Sequence, residues 1–440
     1  MTGAGRHPEL GVDVKQMPGH RHGHTRVPCA VSIRRPCRPE FLATTAQRRN
    51  SRLRIKEIRE LTVPLQGNIS NAVVNFADHT VSLVAVITDV VRNGLPIAGL
   101  AFDSIGRFGQ AGILHERIFP RLNSVGPDLL LNESGNGFAC DKILKLAMKN
   151  EKPGGHGDRA AAIAAVELAF WDLNAKLNDE PAYITISRHF GMNPELRGVP
   201  VYAAGGYYYP QYGAHRLRDE FRKYQEMGFS AFKMKIGGAS LHDDLARIEA
   251  ALSVAGAGSR LAVDANGKFD LARALAYAEA LRPYELRWFE EIGDPLDYVL
   301  NRRVAELYDA PIATGENLFS FQDVNNLLLF GGMRSNLDVF QMDPGLSYGL
   351  IEYDRMLALL EKHGISRKFA YPHGGHLINL HIVVGLELGG CEAYPGVFAP
   401  FGGYSPDCRL EDGCIFPGDA PGFGLEAKQE LHTAISQILA

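Results

Sequence analysis

The stretch Ala231-Phe232-Lys233-Met234-Lys235-Ile236-Gly237-Gly238 decides how this chain is read. A strand turns successive side chains to opposite faces. Phe232, Met234 and Ile236 then share one face, and Lys233 and Lys235 share the other. Two ammonium groups on one face of an apolar strand are costly to bury without partners, so they belong either in solvent or in a site. In a site each cation disfavours protonation of the other, and burial adds to the effect. That predicts an amine able to lose its proton near neutral pH, as a general base must. The alternative is an edge strand with two solvated lysines.

The residues downstream favour the site. From about Pro200 apolar runs alternate with helical patterns: Val201–Ala204, Ala231–Lys235, Leu261–Asp264, Arg287–Glu290, Ile312–Gly315, Asp338–Gln341, Lys368–Tyr371 and a weaker run near Cys391–Ala393. Repeated βα units imply a parallel sheet, and eight such strands close into a barrel. An open doubly wound sheet is the other possibility, but no G-x-G-x-x-G follows the first strand. Polar residues stand at one strand end after another: Lys235, Asp264, Glu290, Glu316, then Asp343 and His373 just beyond the sixth and seventh runs. The gaps between them are 29, 26, 26, 27 and 30 residues, one βα unit each time. In a closed barrel all six converge on the C-terminal mouth, where barrel active sites lie.

Three of the six are carboxylates on neighbouring strands. Ionised acids at close range repel one another, and a hard divalent cation resolves that. An oxygen-only ligand set from Asp264, Glu290 and Glu316 suits Mg²⁺, one ion per site. Solvated acids at loop starts are the plainer alternative. Asp343 and His373 form a second group: a carboxylate bonded to an imidazole fixes its tautomer and raises its pKa, giving a general acid. His373-Gly374-Gly375-His376 has a superficial look of zinc binding, but the glycines remove the helix that would aim both rings. His376 either orients substrate or packs. Asn266, in the turn after Asp264, is a candidate substrate contact. Lys152, before Pro153-Gly154-Gly155, is either displayed by a constrained loop or an ordinary surface lysine.

The region ahead of the barrel is α+β. Strands are predicted near Arg54–Ile58, Val81–Asp89 and Ile97–Phe102, with an Asn93-Gly94 turn. A helix is predicted over Ala160–Leu177, with Ile163, Val166, Phe170, Leu173 and Leu177 on one stripe. Two polar loops, Gly67–Asn71 and Gly106–Gly112, are of the kind that carries binding groups. Residues 1–52 are rich in Arg, Pro, Gly and His, with no apolar periodicity, and are expected to be a disordered extension; a metal-binding tail or a targeting peptide are the alternatives.

The chain of 440 residues is long enough for a barrel plus a second domain. A formal net charge of −4 gives no reason to expect nucleic acid or an anionic membrane. The six cysteines form no C-x-x-C pair and are too sparse for a disulfide framework, which fits a reducing cytoplasm. The expected partners are a small hydroxy-acid substrate and further copies of the chain, with no nucleic acid and no membrane.

Lys233-Met234-Lys235, Asp264-Ala265-Asn266-Gly267, Glu290-Glu291 and Gly315-Glu316-Asn317 resemble the enolase superfamily, as does the helix carrying Trp171-Asp172. The resemblance implies a modified (β/α)7β barrel with an α+β capping domain: cap over 53–190, barrel over 191–394, and 395–440 returning to the cap. That superfamily uses a Lys or His base with Mg²⁺ on an ene-diolate. Glu151–Gly157, Tyr202–Pro210, Gly293–Tyr298 and Pro372–His376 are most similar to the D-tartrate dehydratases. This implies Mg²⁺-dependent dehydration of a 2,3-dihydroxy diacid, with Lys235 as base, His373 as acid and Lys233 beside the substrate carboxylate. It also implies that Asn71, Lys152, Tyr209 and Glu392 touch the substrate. Ile105 and Pro344-Gly345 depart from the expected pattern, where a lost polar contact would alter selectivity. Other acid-sugar dehydration, epimerisation, or a non-catalytic Mg²⁺-binding scaffold are the competing readings.

Overall fold

A computed structural model describes residues 53–209 and 213–440. The reading of residues 1–52 and Pro210 of the Tyr202–Pro210 motif lie outside the described residues.

The cap begins with an antiparallel sheet in the order β1 (Ile55–Pro64), β2 (Thr80–Arg92), β3 (Leu95–Phe102). Asn93 and Gly94 both take positive φ, 53° and 81°, as a two-residue hairpin turn requires. The helix Asp158–Leu177 lies on this sheet. Gly99 makes that contact possible: a Cβ there would meet the Ala169 carbonyl at 2.0 Å. The expected apolar stripe on this helix is too narrow. Arg159, Glu167, Asp172 and Lys176 are buried as well, because the helix is enclosed on nearly every side. Its acids serve as ties. Asp172 accepts from the backbone N–H of Leu100 (2.7 Å) and of Phe423 (2.6 Å) and pairs with Lys176. Glu167 accepts from the N–H of Leu350 (2.9 Å), the first residue of the helix Leu350–Lys362, where a carboxylate complements unpaired donors. Burial still pushes Glu167 up to about 7.

The second sheet is the barrel: β4 (Val199–Gly205), β5 (Phe232–Lys235), β6 (Leu261–Asp264), β7 (Trp288–Glu290), β8 (Ile312–Thr314) and β9 (Val339–Phe340), all parallel, with β10 (Cys391–Ala393) returning to pair β4. The expected strand Lys368–Tyr371 is not a strand. Arg367–Phe369 forms a 3₁₀ turn, and pairing shrinks to one bridge between Phe340 and Ala370. Tyr371 and His373 still donate their N–H groups to the Phe340 and Gln341 carbonyls, but the turn replaces the strand residues ahead of them. A hairpin the sequence reading did not anticipate, β11 (Arg409–Glu411) and β12 (Cys414–Phe416), adds antiparallel to the start of β4. The C-terminal helix His432–Leu439 then reaches the cap, where Arg59 bonds the Ile438 carbonyl at 3.0 Å.

The alternation expected of β5 is present. Phe232 faces outward and stacks on Phe221 at 4.9 Å, while Lys233 lies over the Tyr202 ring inside the barrel. Tyr202, Trp288 and Val339, with Ala231, Ala262 and Ala313, plug the bore below the lysines. Among the described residues no helix is long and apolar enough to cross a membrane.

Candidate active site

Strand register sets the level of the site. Lys235 pairs with Asp264 across β5 and β6, and Asp264 with Glu290 across β6 and β7, so the three stand side by side. Glu316 lies past the end of β8, beyond Gly315, whose φ of 129° turns the chain. A Cβ on Gly315 would sit 3.0 Å from the Met342 nitrogen. One oxygen from each of Asp264, Glu290 and Glu316 lies within 4.8 Å of the others. Three oxygen donors that close suit a hard divalent cation. Burial first, then Asp264, Glu392 and Glu316, raises Glu290 to about 8 despite Lys233 beside it, a crowding of acids that a bound cation would relieve.

Lys233 is only 1% exposed. It contacts Glu290 at 2.5 Å and Glu392 at 2.7 Å, with Asp264 at 3.5 Å. Lys233 and Glu392, both expected at the substrate, pair with each other beneath the carboxylates, and neither is among the residues lining the cavity above. Glu392 also accepts from the Gly374 N–H at 2.9 Å. Lys235 contacts Asp264 at 2.5 Å. Burial and Lys233 draw its pKa down as expected, but Asp264 outweighs them and the net shift is upward. The strand pattern shows the second lysine but not the carboxylate one strand away that opposes it.

The site opens into a cavity of about 220 Å³ whose walls include Lys235, His373, Glu316, Asn266, Asn71 and Ile105. His373 Nδ1 lies 3.1 Å from Asp343 and its Nε2 3.1 Å from the Tyr394 hydroxyl, with Glu316 at 3.8 Å. Burial opposes its charge, but Glu316, Asp343 and Glu392 together raise it to about 10, so the imidazole is held protonated. Asp343 also accepts from the Gly345 N–H at 2.8 Å. The Pro344-Gly345 departure has a steric reason, since a Cβ on Gly345 would meet Ser104 Cβ at 2.8 Å.

Asn266 donates to Asp264 through its backbone (2.9 Å), and its Oδ1 is buried without a partner. Asn71 Oδ1 is taken by the N–H groups of Val73 and Val74, leaving its NH₂ for the cavity. Tyr209 and Lys152 are not brought to this cavity. The Tyr209 hydroxyl bonds Glu220 at 3.0 Å. Lys152 is exposed, and its loop is held instead by Arg159, which bonds the Lys152 carbonyl. His376 packs: it caps the helix Leu377–Gly385 and lies 3.3 Å from Ser104, and burial lowers it to about 4.

Further residues, given no role from the sequence, line the cavity or brace the groups that do. Tyr394 lies two positions beyond Glu392, on the same face by strand alternation, which was a usable signal. Asn379 donates to Asp343 at 3.3 Å from the helix after the glycine loop, and nothing in its sequence context marks it. Glu291, with φ of 41°, turns its carboxyl to Asn317 (2.7 Å), and Asn317 accepts from Arg107 of the cap (2.6 Å).

The mouth of the barrel thus gathers a carboxylate triad, a strand lysine and an imidazole. The family model described as "Enolase C-terminal domain-like" matches residues 216–431. L-talarate/galactarate dehydratase of Salmonella typhimurium is 27% identical over 88% of this chain and 92% of that protein. The 3,6-anhydro-alpha-L-galactonate cycloisomerase of Streptomyces coelicolor is 30% identical over 62% of this chain and 70% of that protein. The Salmonella enzyme's crystal structure, liganded with Mg and L-lyxarohydroxamate, superposes with a TM-score of 0.67 at 23% identity, covering 87% of this chain and 93% of that one. The chain belongs to the enolase superfamily.

Proposed function

We propose that the protein is a Mg²⁺-dependent dehydratase of 2,3-dihydroxy acids bearing a second carboxylate, with D-tartrate, converted to oxaloacetate and water, as its first candidate. The observation that carries this reading is that Lys235 and His373, a strand lysine and an imidazole, line one cavity beside Glu316 of the acidic triad. Asp264, Glu290 and Glu316 would hold the cation, which when bound acidifies the α-proton of a coordinated carboxylate. Lys235 Nζ takes that proton, breaking C2–H. His373 Nε2 gives its proton to the C3 hydroxyl, which leaves as water, and the enol tautomerises to the keto acid. Asp343 fixes the imidazole through Nδ1. Lys233 adds positive charge from below, and Asn71 and Asn266 offer amide groups to the substrate.

The Salmonella relative named as a dehydratase supports the reaction class. The test is keto-acid formation across a panel of C4 to C6 sugar mono- and diacids with Mg²⁺. Oxaloacetate from D-tartrate, faster than keto acid from any monoacid, is expected. No keto acid from any member would contradict the proposal.

A further inference from the structure

The geometry points to Arg107 as the group that receives the second carboxylate of a dicarboxylic substrate. This deepens the dehydratase reading and rests on it. Arg107 sits in the cap loop after β3, next to Gly106, whose φ of 117° favours glycine. Its side chain lines the same cavity as Lys235 and His373, and also an adjoining groove of about 520 Å³. Among the described residues on the cavity wall, the basic side chains are these three.

Arg107 is held in place yet chemically unspent. Nη2 donates to Asn317 Oδ1 at 2.6 Å, and Asn317 Nδ2 in turn donates to Glu291 at 2.7 Å, which fixes the amide's orientation. The guanidinium lies 4.9 Å from the Phe319 ring centroid. A guanidinium has five N–H donors in a rigid fork that matches a carboxylate. One is committed, and it goes to a neutral oxygen. No described carboxylate pairs with Arg107. By contrast Arg117, Arg121 and Arg159 all converge on Glu151. A half-buried cation, braced on two sides and with no ion-pair partner among the described residues, is prepared for an anionic ligand. With Lys152 outside the cavity, Arg107 supplies the cation that the far end of a diacid needs.

The test measures binding separately from turnover. In a Lys235→Ala background with Mg²⁺, titration calorimetry gives Kd for D-tartrate and for D-threonate, its counterpart with CH₂OH in place of one carboxylate. Adding Arg107→Gln is expected to weaken D-tartrate roughly 10- to 100-fold, the usual scale for a hydrogen bond to a charged group, and D-threonate less than about 3-fold. Arg107→Lys, which keeps the charge but not the fork, should fall between, and both variants should melt near the parent temperature. Equal losses for the two ligands would make Arg107 only a brace between cap and barrel and would overturn the inference. So would failure of the parent to prefer the diacid. If the intact enzyme then still dehydrated monoacids, the dehydratase reading would stand without Arg107's role.

Discussion

The carboxylate of Asp264 lies 2.5 Å from the ammonium of Lys235, so one acid belongs both to the cluster suited to a cation and to the contact that holds the lysine's proton. Lys235 and Asp264 are register partners on adjacent strands, and neither can be retuned without the other. A divalent ion on Asp264 competes with Lys235 for the same negative charge.

Metal binding is therefore expected to release protons. Glu290 and Lys235 both have raised pKa values here, and a cation that takes up their carboxylate neighbourhood lowers them. Adding MgCl₂ to weakly buffered protein with an indicator dye should acidify the solution. Glu290→Gln should weaken Mg²⁺ binding at least about tenfold, having lost one of three anionic ligands. Undiminished affinity in that variant, or full activity in excess chelator, would remove the triad from the account.

The barrel and its mouth were legible because they follow from periodicity. Lys235, Asp264 and Glu290 each end a strand, and strand register alone puts them together. What could not be read depends on packing between distant segments. Whether Lys152 or Arg107 reaches the cavity is set by how the cap loops settle: Arg107 follows Gly106, and Lys152 precedes Pro153-Gly154-Gly155, so glycines near each leave many paths open. The direction of the Lys235 pKa depended on a 2.5 Å contact across strands, which spacing does not give. The seventh strand gives way to the 3₁₀ turn Arg367–Phe369, which the apolar pattern of Lys368–Tyr371 conceals.

Glu151 makes a separate claim about stability. Its carboxylate is 8% exposed and bonded by Arg117, Arg121 and Arg159 at 2.5, 2.8 and 3.1 Å. Burial alone would raise it, but the three guanidinium groups lower it from 4.5 to about 2. A depressed carboxylate stabilises the fold above its unfolded pKa and loses that contribution as pH falls from about 4.5 toward 2. Glu151→Gln should cost on the order of 2–3 kcal/mol at pH 7 and flatten the acid limb of a denaturant-melt series. An acid limb identical to the parent's would refute this.

Ile105 is 1% exposed and lines the cavity. Ile105→Asn is expected to raise kcat/KM for D-tartrate about tenfold by supplying a hydrogen-bonding group to a substrate oxygen. A fall in kcat/KM, from a parent already fast on D-tartrate, would show that the isoleucine is the better residue there.

Deuterium exchange separates the proposed roles of Lys235 as base and His373 as acid. His373→Asn keeps much of the side chain's shape and removes the acid, which should slow keto-acid formation roughly 10²–10⁴-fold, about 3–5 kcal/mol of barrier. In D₂O with Mg²⁺ and D-tartrate, proton NMR of that variant should still show the α-hydrogen replaced by deuterium while little keto acid accumulates. Lys235→Ala should show neither exchange nor product. Rapid exchange by the Lys235→Ala protein would contradict the account, because the α-proton would then be leaving through another group.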